Sequence, residues 1–302
     1  MITRLESKVR PAGRRLARLR RIWPRKLSRS WELLTFPSTV LCLFLNPRIH
    51  PAYGLTWPKK FSLAFRVWRT TRNVQTLTSY KSHLVMAAKL LEIPPDVRGA
   101  VVECGCYLGG STANLSLVCD VVDRELIVYD SFEGLPPPEA DDKYAKADAT
   151  GFLRADLELV RRNVGRFGAI ERCSFRKGWF SDTLPDHTEP IVLVFLDVDY
   201  QASLDECIRH LWPHLTDKGY VFIDEYVLTD YCALFWSERY WRTNFDTTPP
   251  GLIGAGSGVG VGQYYLGPFE EWNLGAGLVQ DPTSVAYTRK DFSGYWDYYP
   301  GG

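Results

Sequence analysis

Several short apolar runs in this chain end in carboxylates: Val101-Val102-Glu103, Ile127-Val128-Tyr129-Asp130, Phe195-Leu196-Asp197 and Phe222-Ile223-Asp224-Glu225. Gly105, Gly109 and Gly110 follow the first run, and Asp199 stands two residues past Asp197. Acids placed in this way can accept hydrogen bonds from hydroxyls, hold a hard cation or take up a proton. The glycines let the backbone pass close to a ligand, and a helix starting near Ser111 offers free N–H groups. Glu103 adds an acceptor for a cationic or hydroxylated group. Together these features describe a nucleotide-type cofactor pocket. Bulky Tyr107 sits between the glycines, so the G-x-G-x-x-G spacing that cradles a pyrophosphate is absent. Glycines serving helix–strand packing alone are the alternative.

Asp130 falls roughly 25 residues beyond the glycine motif, where an acid can accept from two ribose hydroxyls, which implies an adenosine-like ligand. The turn Lys177-Gly178-Trp179-Phe180-Ser181-Asp182 could place an aromatic ring or backbone groups against adenine, with a loop anchor as the other role for Trp179. Asp197, Asp199, Asp224 and Glu225 would repel one another without a counter-charge. A hard divalent cation such as Mg²⁺, which prefers carboxylate oxygen, would relieve that repulsion. In the competing reading one or two of these positions, such as Asp199 or Ser203, cap a helix. His210 and His214 lack an H-E-x-x-H context and read as surface histidines.

Positioning these groups requires a sheet. The pattern predicts strands at 100–104, 126–130, 172–176, 191–196 and 219–224, alternating with helices at 110–121, 152–165, 203–214 and 229–241. That alternation implies an α/β fold with right-handed crossovers and a mainly parallel sheet, whose ligands bind beyond the carboxyl ends of the strands. The unbroken apolar runs 191–196 and 220–223 predict strands covered on both faces. Another helix is expected over 78–92, stopped by Pro94-Pro95. Residues 50–75, rich in aromatics, read as a loosely packed arm, and 134–151 as a surface loop near the site. The Gly-rich stretch 251–262 reads as a loop leading to a strand at 263–266, paired antiparallel with 284–289.

Net charge is only +1, yet residues 1–30 hold eleven Lys and Arg against Glu6, which leaves the rest of the chain near −9. Such a segment suits an anionic membrane surface, nucleic acid or an acidic partner. Leu16, Leu19, Ile22, Trp23 and Leu27 recur at helical spacing among the arginines, which favours a basic amphipathic helix on a membrane surface; nucleic acid is not expected. The apolar run 40–45 is far shorter than the ~20 residues of a membrane-spanning helix, and no secretory signal is expected. The seven cysteines are scattered, with no C-x-x-C pair, which suits a reducing, cytoplasmic setting with peripheral membrane contact. The chain divides into a basic extension (1–48), a helical, aromatic arm and lid (49–98) and an α/β domain (99–302).

Six segments in order, 101–105, 109–111, 129–136, 177–185, 196–199 and 223–226, resemble the macrocin O-methyltransferase (TylF-type) family; the resemblance runs from about Leu77 to Tyr226. It implies a class I, Rossmann-like methyltransferase domain with a seven-stranded, mostly parallel sheet and helices on both faces. It implies S-adenosylmethionine as cofactor and Mg²⁺-assisted methylation of a hydroxyl on a sugar or glycosylated small molecule. Glu103, Gly105, Tyr107, Gly109, Gly110, Ser111, Asp130, Ser131 and Phe132 would then hold the cofactor, with Gly178, Trp179 and Phe180 near adenine. The metal would fall to Asp197, Asp224 and Glu225. Val198 stands where the family usually has glycine, and Glu225 where it usually has a second aspartate. Asp199 is the candidate general base beside Asp197, His187 is a weaker one, and His83 or Tyr226 could line the acceptor pocket. Two other readings stand beside this one: an NAD-dependent oxidoreductase in which Asp130 binds the NAD ribose, and a non-catalytic, membrane-docked protein with a methyltransferase-like fold. A homo-oligomer is compatible with all of them.

Overall fold

A computed structural model describes residues 49–138, 149–226, 229–254 and 285–291, together with Leu34, Phe36, Pro37 and 39–41. The basic segment 1–30 and the strand expected at 263–266 lie outside the described residues. Five parallel strands, β1 (Ala100–Cys104), β2 (Leu126–Asp130), β3 (Cys173–Lys177), β4 (Ile191–Leu196) and β5 (Leu215–Ile223), form the body of a seven-stranded sheet. Two more strands, β6 (Ile253–Gly254) and β7 (Ala286–Arg289), complete the order β3-β2-β1-β4-β5-β7-β6. β7, within the strand expected at 284–289, runs antiparallel to β5 and to the two-residue β6, whose residues fall in the stretch read as a loop, while its expected pairing with 263–266 lies outside the described residues.

Each parallel crossover carries a helix, as its right-handed geometry requires. α1 (Trp57–Asn73), α2 (Tyr80–Leu90), α3 (Gly110–Val122) and α4 (Leu157–Phe167) cover one face, where Leu63, Val67, Leu84, Leu117 and Val160 pack on Val101, Val128, Phe195 and Phe222. The short α5 (Phe180–Thr183) follows β3. α6 (Gln201–Leu211), α7 (Thr229–Ala233) and α8 (Glu238–Phe245) cover the other face, where Leu204, Ile208 and Trp241 pack on Val102, Val194, Leu196 and Ile223. Every residue of β4 is buried, as the unbroken apolar run demands. Each fully buried Leu or Phe side chain contributes about 2 kcal/mol to this two-sided core.

The segment expected to be a loose arm is instead a 17-residue helix. Pro58 suits its first turn, and Leu63, Ala64 and Val67, at helical spacing, are buried in the main core. α2 starts where the Ser79 side chain accepts from the N–H groups of Lys81 and Ser82. α4 begins five residues later than its apolar pattern suggested. Gly151 and Leu153 both have positive φ, and the N–H of Leu135 donates to Phe152 O while that of Gly151 donates to Leu135 O, so this stretch is tied down as a loop. The helix expected over 229–241 is interrupted by a 3₁₀ turn at Leu234–Trp236, after which the Ser237 side chain caps α8.

Candidate active site

The four central strands stop together. Tyr129 and Leu196 both pair with Cys104, and Leu196 with Ile223, so the next residues form a row across the sheet: Asp130, Gly105, Asp197 and Asp224. Adjacent strands lie about 4.8 Å apart, so this row brings the chemistry-bearing residues to one edge. A cavity of about 1720 Å³ opens above it. Asp130 and the glycine turn border one end, and Asp197, Asp199, Asp224 and Glu225 the other.

At the first end the backbone does the positioning. Asp130 accepts from Cys106 N–H at 2.7 Å with one oxygen and from Phe132 N–H at 2.6 Å with the other. Gly105 has φ +83°, and a Cβ there would lie 1.9 Å from the carbonyl oxygen of Asp197, so only glycine fits where β1 crosses beside β4. Gly178 N–H donates to Asp130 O at 3.1 Å, which carries the Trp179 turn to the cavity. Tyr107, Phe132 and Asp199 adopt left-handed φ of 45°, 57° and 59°, just past the ends of β1, β2 and β4. Non-glycine residues held this way cost of order 1 kcal/mol or more each and cluster at functional sites.

Of the residues expected to hold the cofactor, Gly105, Tyr107, Gly110, Ser111, Asp130, Ser131, Gly178, Trp179 and Phe180 line the cavity. Glu103, Gly109 and Phe132 do not. Glu103 lies two residues along the pleat from Val101, and so shares the face that packs on α1–α4. It is completely buried, with the Ser111 and Thr112 side chains of α3 as its polar neighbours. Burial pushes its pKa up to about 7; Ser111 and Thr112 on α3 oppose the shift, and Asp130 adds to it. Gly109 is the N-cap of α3 and packs on α4, since a Cβ there would lie 2.9 Å from Val160. Phe132 points into the core beside Phe175 and serves the site through its N–H.

At the second end carboxylates face one another. Burial, then Asp224, Glu225 and Asp199, hold the Asp197 pKa well above the usual carboxylate range. Burial also raises Asp199, and burial with Asp224 and Asp199 pushes Glu225 up to about 8. Glu225 accepts the Asp199 N–H at 2.8 Å. Among the described residues no group of three His, Cys, Asp or Glu side chains converges to hold a metal ion. The set Asp197, Asp224 and Glu225 therefore borders the cavity without forming a closed metal site. One physical reason is that Glu225 is turned to the Asp199 backbone. Asp199 is not a helix cap, because Tyr200 takes the N-cap position of α6.

The histidines stand elsewhere. His83 is buried between α2 and α3, with its ring nitrogen 2.8 Å from Asn114, and burial lowers its pKa to about 3. His187 is buried against Tyr129 at 2.9 Å and His214, outside the cavity. Other lining residues gave no motif signal. Gln75, Thr76 and Leu77 follow α1, and Thr76 lies where a Gly110 Cβ would meet it at 2.9 Å, which explains the second glycine. Asp205 and Arg209 on α6 form an ion pair at the rim, and their four-residue spacing was the available clue. Ser237, the cap of α8, and Tyr240 and Asn244 on that helix complete the wall.

Residues 83–249 match the Macrocin-O-methyltransferase (TylF) family. A Streptomyces olivaceus protein named 8-demethyl-8-(2,3-dimethoxy-alpha-L-rhamnosyl)-tetracenomycin-C 4'-O-methyltransferase is 35% identical over 142 residues, covering 44% of this chain and 54% of that protein. The Demethyldecarbamoylnovobiocin O-methyltransferase of Streptomyces niveus is 31% identical over 186 residues, covering 55% and 70% of the two chains. The alignment with the first of these relatives thus spans about half of its length. The solved O-methyltransferase NovP superposes with a TM-score of 0.55 at 21% identity, covering 85% of this chain and 98% of its own, which shows the class I methyltransferase fold.

Proposed function

Because the chain belongs to the macrocin O-methyltransferase (TylF) family, we propose that it transfers the methyl group of S-adenosylmethionine to a hydroxyl of a sugar on a glycosylated small molecule. The observation that carries this reading is the cavity's division into a braced acceptor, Asp130, at one end and a group of buried carboxylates at the other. The relatives' names, one a rhamnosyl-tetracenomycin 4'-O-methyltransferase, support the acceptor class.

The residues present fit S-adenosylmethionine. Asp130 offers acceptors for the ribose hydroxyls, and Trp179 and Phe180 border the adenine side. Glu103, buried beneath the glycine turn with its proton affinity raised, would be stabilised in its charged form by positive charge nearby, as a sulfonium or ammonium group would supply. For Mg²⁺ the donor chemistry fits, since hard oxygens that raise one another's pKa are stabilised by a cation. Asp197, Asp224 and Glu225 would hold it, with Glu225 released from the Asp199 N–H. S-adenosylmethionine supplies an electrophilic methyl group, and Mg²⁺ would make an acceptor hydroxyl more acidic.

The protein's own task is to align donor and acceptor and to accept a proton. Asp199, bordering the cavity and held by its backbone to Glu225, is positioned to take the hydroxyl proton at its carboxylate. The α8 wall of Tyr240 and Asn244 and the loop 134–137 shield the acceptor from water. Incubation of purified protein with radiolabelled S-adenosylmethionine, Mg²⁺ and a panel of deoxysugar glycosides tests the reading, with labelled glycoside expected. S-adenosylmethionine binding without transfer to any glycoside would overturn the acceptor class. Absence of binding in calorimetry would overturn the cofactor as well.

A further inference from the structure

We propose that a pocket between α1 and α4, outside the cavity, binds the phosphate of an anionic phospholipid headgroup and seats this face of the protein on a membrane surface. The pocket encloses about 150 Å³ and is lined by Arg66, Arg69, Thr70, Arg166, Phe167 and Gly168. The Arg69 and Arg166 guanidinium carbons lie 5.9 and 5.2 Å from the Phe167 ring centroid, so one ring orients two cations. Among the described residues none of the three arginines forms an ion pair, whereas Arg172 bridges Asp120 and Asp123 nearby on the surface. Three guanidiniums on one pocket repel unless an anion joins them, and their planar forks match phosphate oxygens. The negative end of a helix dipole accounts for Arg166 in the last turn of α4. It does not account for Arg66, two turns before the end of α1.

The surroundings point to a lipid surface rather than to free phosphate. α1 carries Lys59, Lys60, Arg66, Arg69 and Arg72 with no acid, and the sequence contains no Asp or Glu between Glu32 and Glu92. Residues 1–73 hold seventeen Lys and Arg against two acids, while the rest of the chain has a net charge of −14. Phe65, 51% exposed, lies one turn before Arg69, which sets an exposed aromatic ring beside a cation on α1; Trp57, 39% exposed, stands at the start of the same helix. An interfacial helix has this composition. Gln75–Leu77, just past α1, line the cavity, so docking on this face would bring the cavity mouth next to the surface. Among the described residues no helix is long and apolar enough to cross a membrane.

The test is co-sedimentation of the full chain with vesicles of phosphatidylcholine alone or with added phosphatidylglycerol, each read as a partition coefficient. Partition onto the anionic vesicles is expected, with the R66Q/R69Q/R166Q variant weakened at least tenfold while its thermal midpoint and S-adenosylmethionine affinity stay unchanged. A full-length variant with Arg14, Arg15, Arg18 and Arg21 all changed to Gln measures the separate contribution of the basic segment. Should the triple variant not fold, Arg66→Gln alone, at an exposed position, is expected to weaken partition several-fold. Wild-type partition by the pocket variants, or equal partition onto neutral and anionic vesicles, overturns the proposal. Saturable binding of inorganic phosphate in calorimetry without vesicle binding reassigns the pocket to a soluble anion, and binding to a nucleic-acid duplex without vesicle binding also overturns it.

Discussion

At the β1–β2–β3 end of the cavity, Asp130 has both carboxylate oxygens engaged by backbone N–H groups, whereas at the β4–β5 end Asp197, Asp199, Asp224 and Glu225 lie close enough to shift one another's proton affinity. The first arrangement is satisfied within the fold and holds an acceptor in a fixed place, so it can bind a ligand without reorganising. The second is uphill on its own, because buried like charges are stabilised only by a proton or a cation. The contrast separates two tasks in one pocket: a rigid seat for the methyl donor, and a reactive end whose charge is completed by what binds there.

The sharpest way to break the first half is Gly105→Ala. The new methyl group would overlap the Asp197 carbonyl at a left-handed φ, and the expected cost is about 3–5 kcal/mol of fold stability, read by urea denaturation. A loss below 1 kcal/mol would show that β1 and β4 can separate there and that the seat is not rigid. Asp130→Ala comes next. It should weaken S-adenosylmethionine binding about 100-fold, or about 2.7 kcal/mol, in calorimetry, while Asp199→Asn leaves that affinity within a factor of three and lowers turnover. Equal effects of the two substitutions on affinity would erase the division between the ends.

The strand ends were legible because apolar runs buried on both faces stop abruptly at a charged residue, and β1 to β5 end within one residue of where the pattern places them. Asp130, Asp197 and Asp224 were therefore found as strand-end acids. Glu103 reads as a strand-end acid like the others, but the sequence does not say which pleat face the α1–α4 helices cover; its parity with Val101 places it on that face, outside the cavity lining. Gly109 and Gly110 looked alike in sequence but answer to different neighbours, Val160 and Thr76, brought there by long-range packing. The late start of α4 was hidden for the same reason, because its preceding loop is fixed by hydrogen bonds to Leu135 rather than by local propensity. The aromatic pattern over 50–75 reads as a loose arm because exposed Trp57 and Phe65 obscure the buried stripe of Leu63, Ala64 and Val67.

Glu103 sharpens the comparison, since it is a fully buried acid with only the Ser111 and Thr112 side chains to oppose its protonation, lying beneath the otherwise satisfied end. Its folded pKa of about 7 lies above the ordinary value of 4.5, so the fold favours the protonated form. The stabilising contribution is complete below pH 4.5 and is lost as pH rises from about 4.5 to 7. Glu103→Gln should remove this dependence and raise stability at pH 8 by about 3 kcal/mol, seen as a higher thermal midpoint. An unchanged midpoint at pH 8 would mean that the carboxylate has found a partner, and saturating S-adenosylmethionine should narrow the difference between variant and wild type if that partner is the cofactor's positive charge.

Trp179 gives the smallest effect and separates side chain from backbone within the seat. Its carbonyl oxygen accepts from the N–H groups of Asp182 and Thr183 and from the Thr183 hydroxyl, so the main chain alone secures the turn. The indole borders the cavity and remains 36% exposed. Trp179→Ala should therefore leave the thermal midpoint unchanged and weaken cofactor binding roughly fivefold, about 1 kcal/mol, as expected for one lost stacking surface, with Trp179→Phe restoring most of it. A lowered midpoint with unaltered affinity would make the indole an anchor of the turn, and the adenine side of the seat would then rest on Phe180 and the Gly178 backbone.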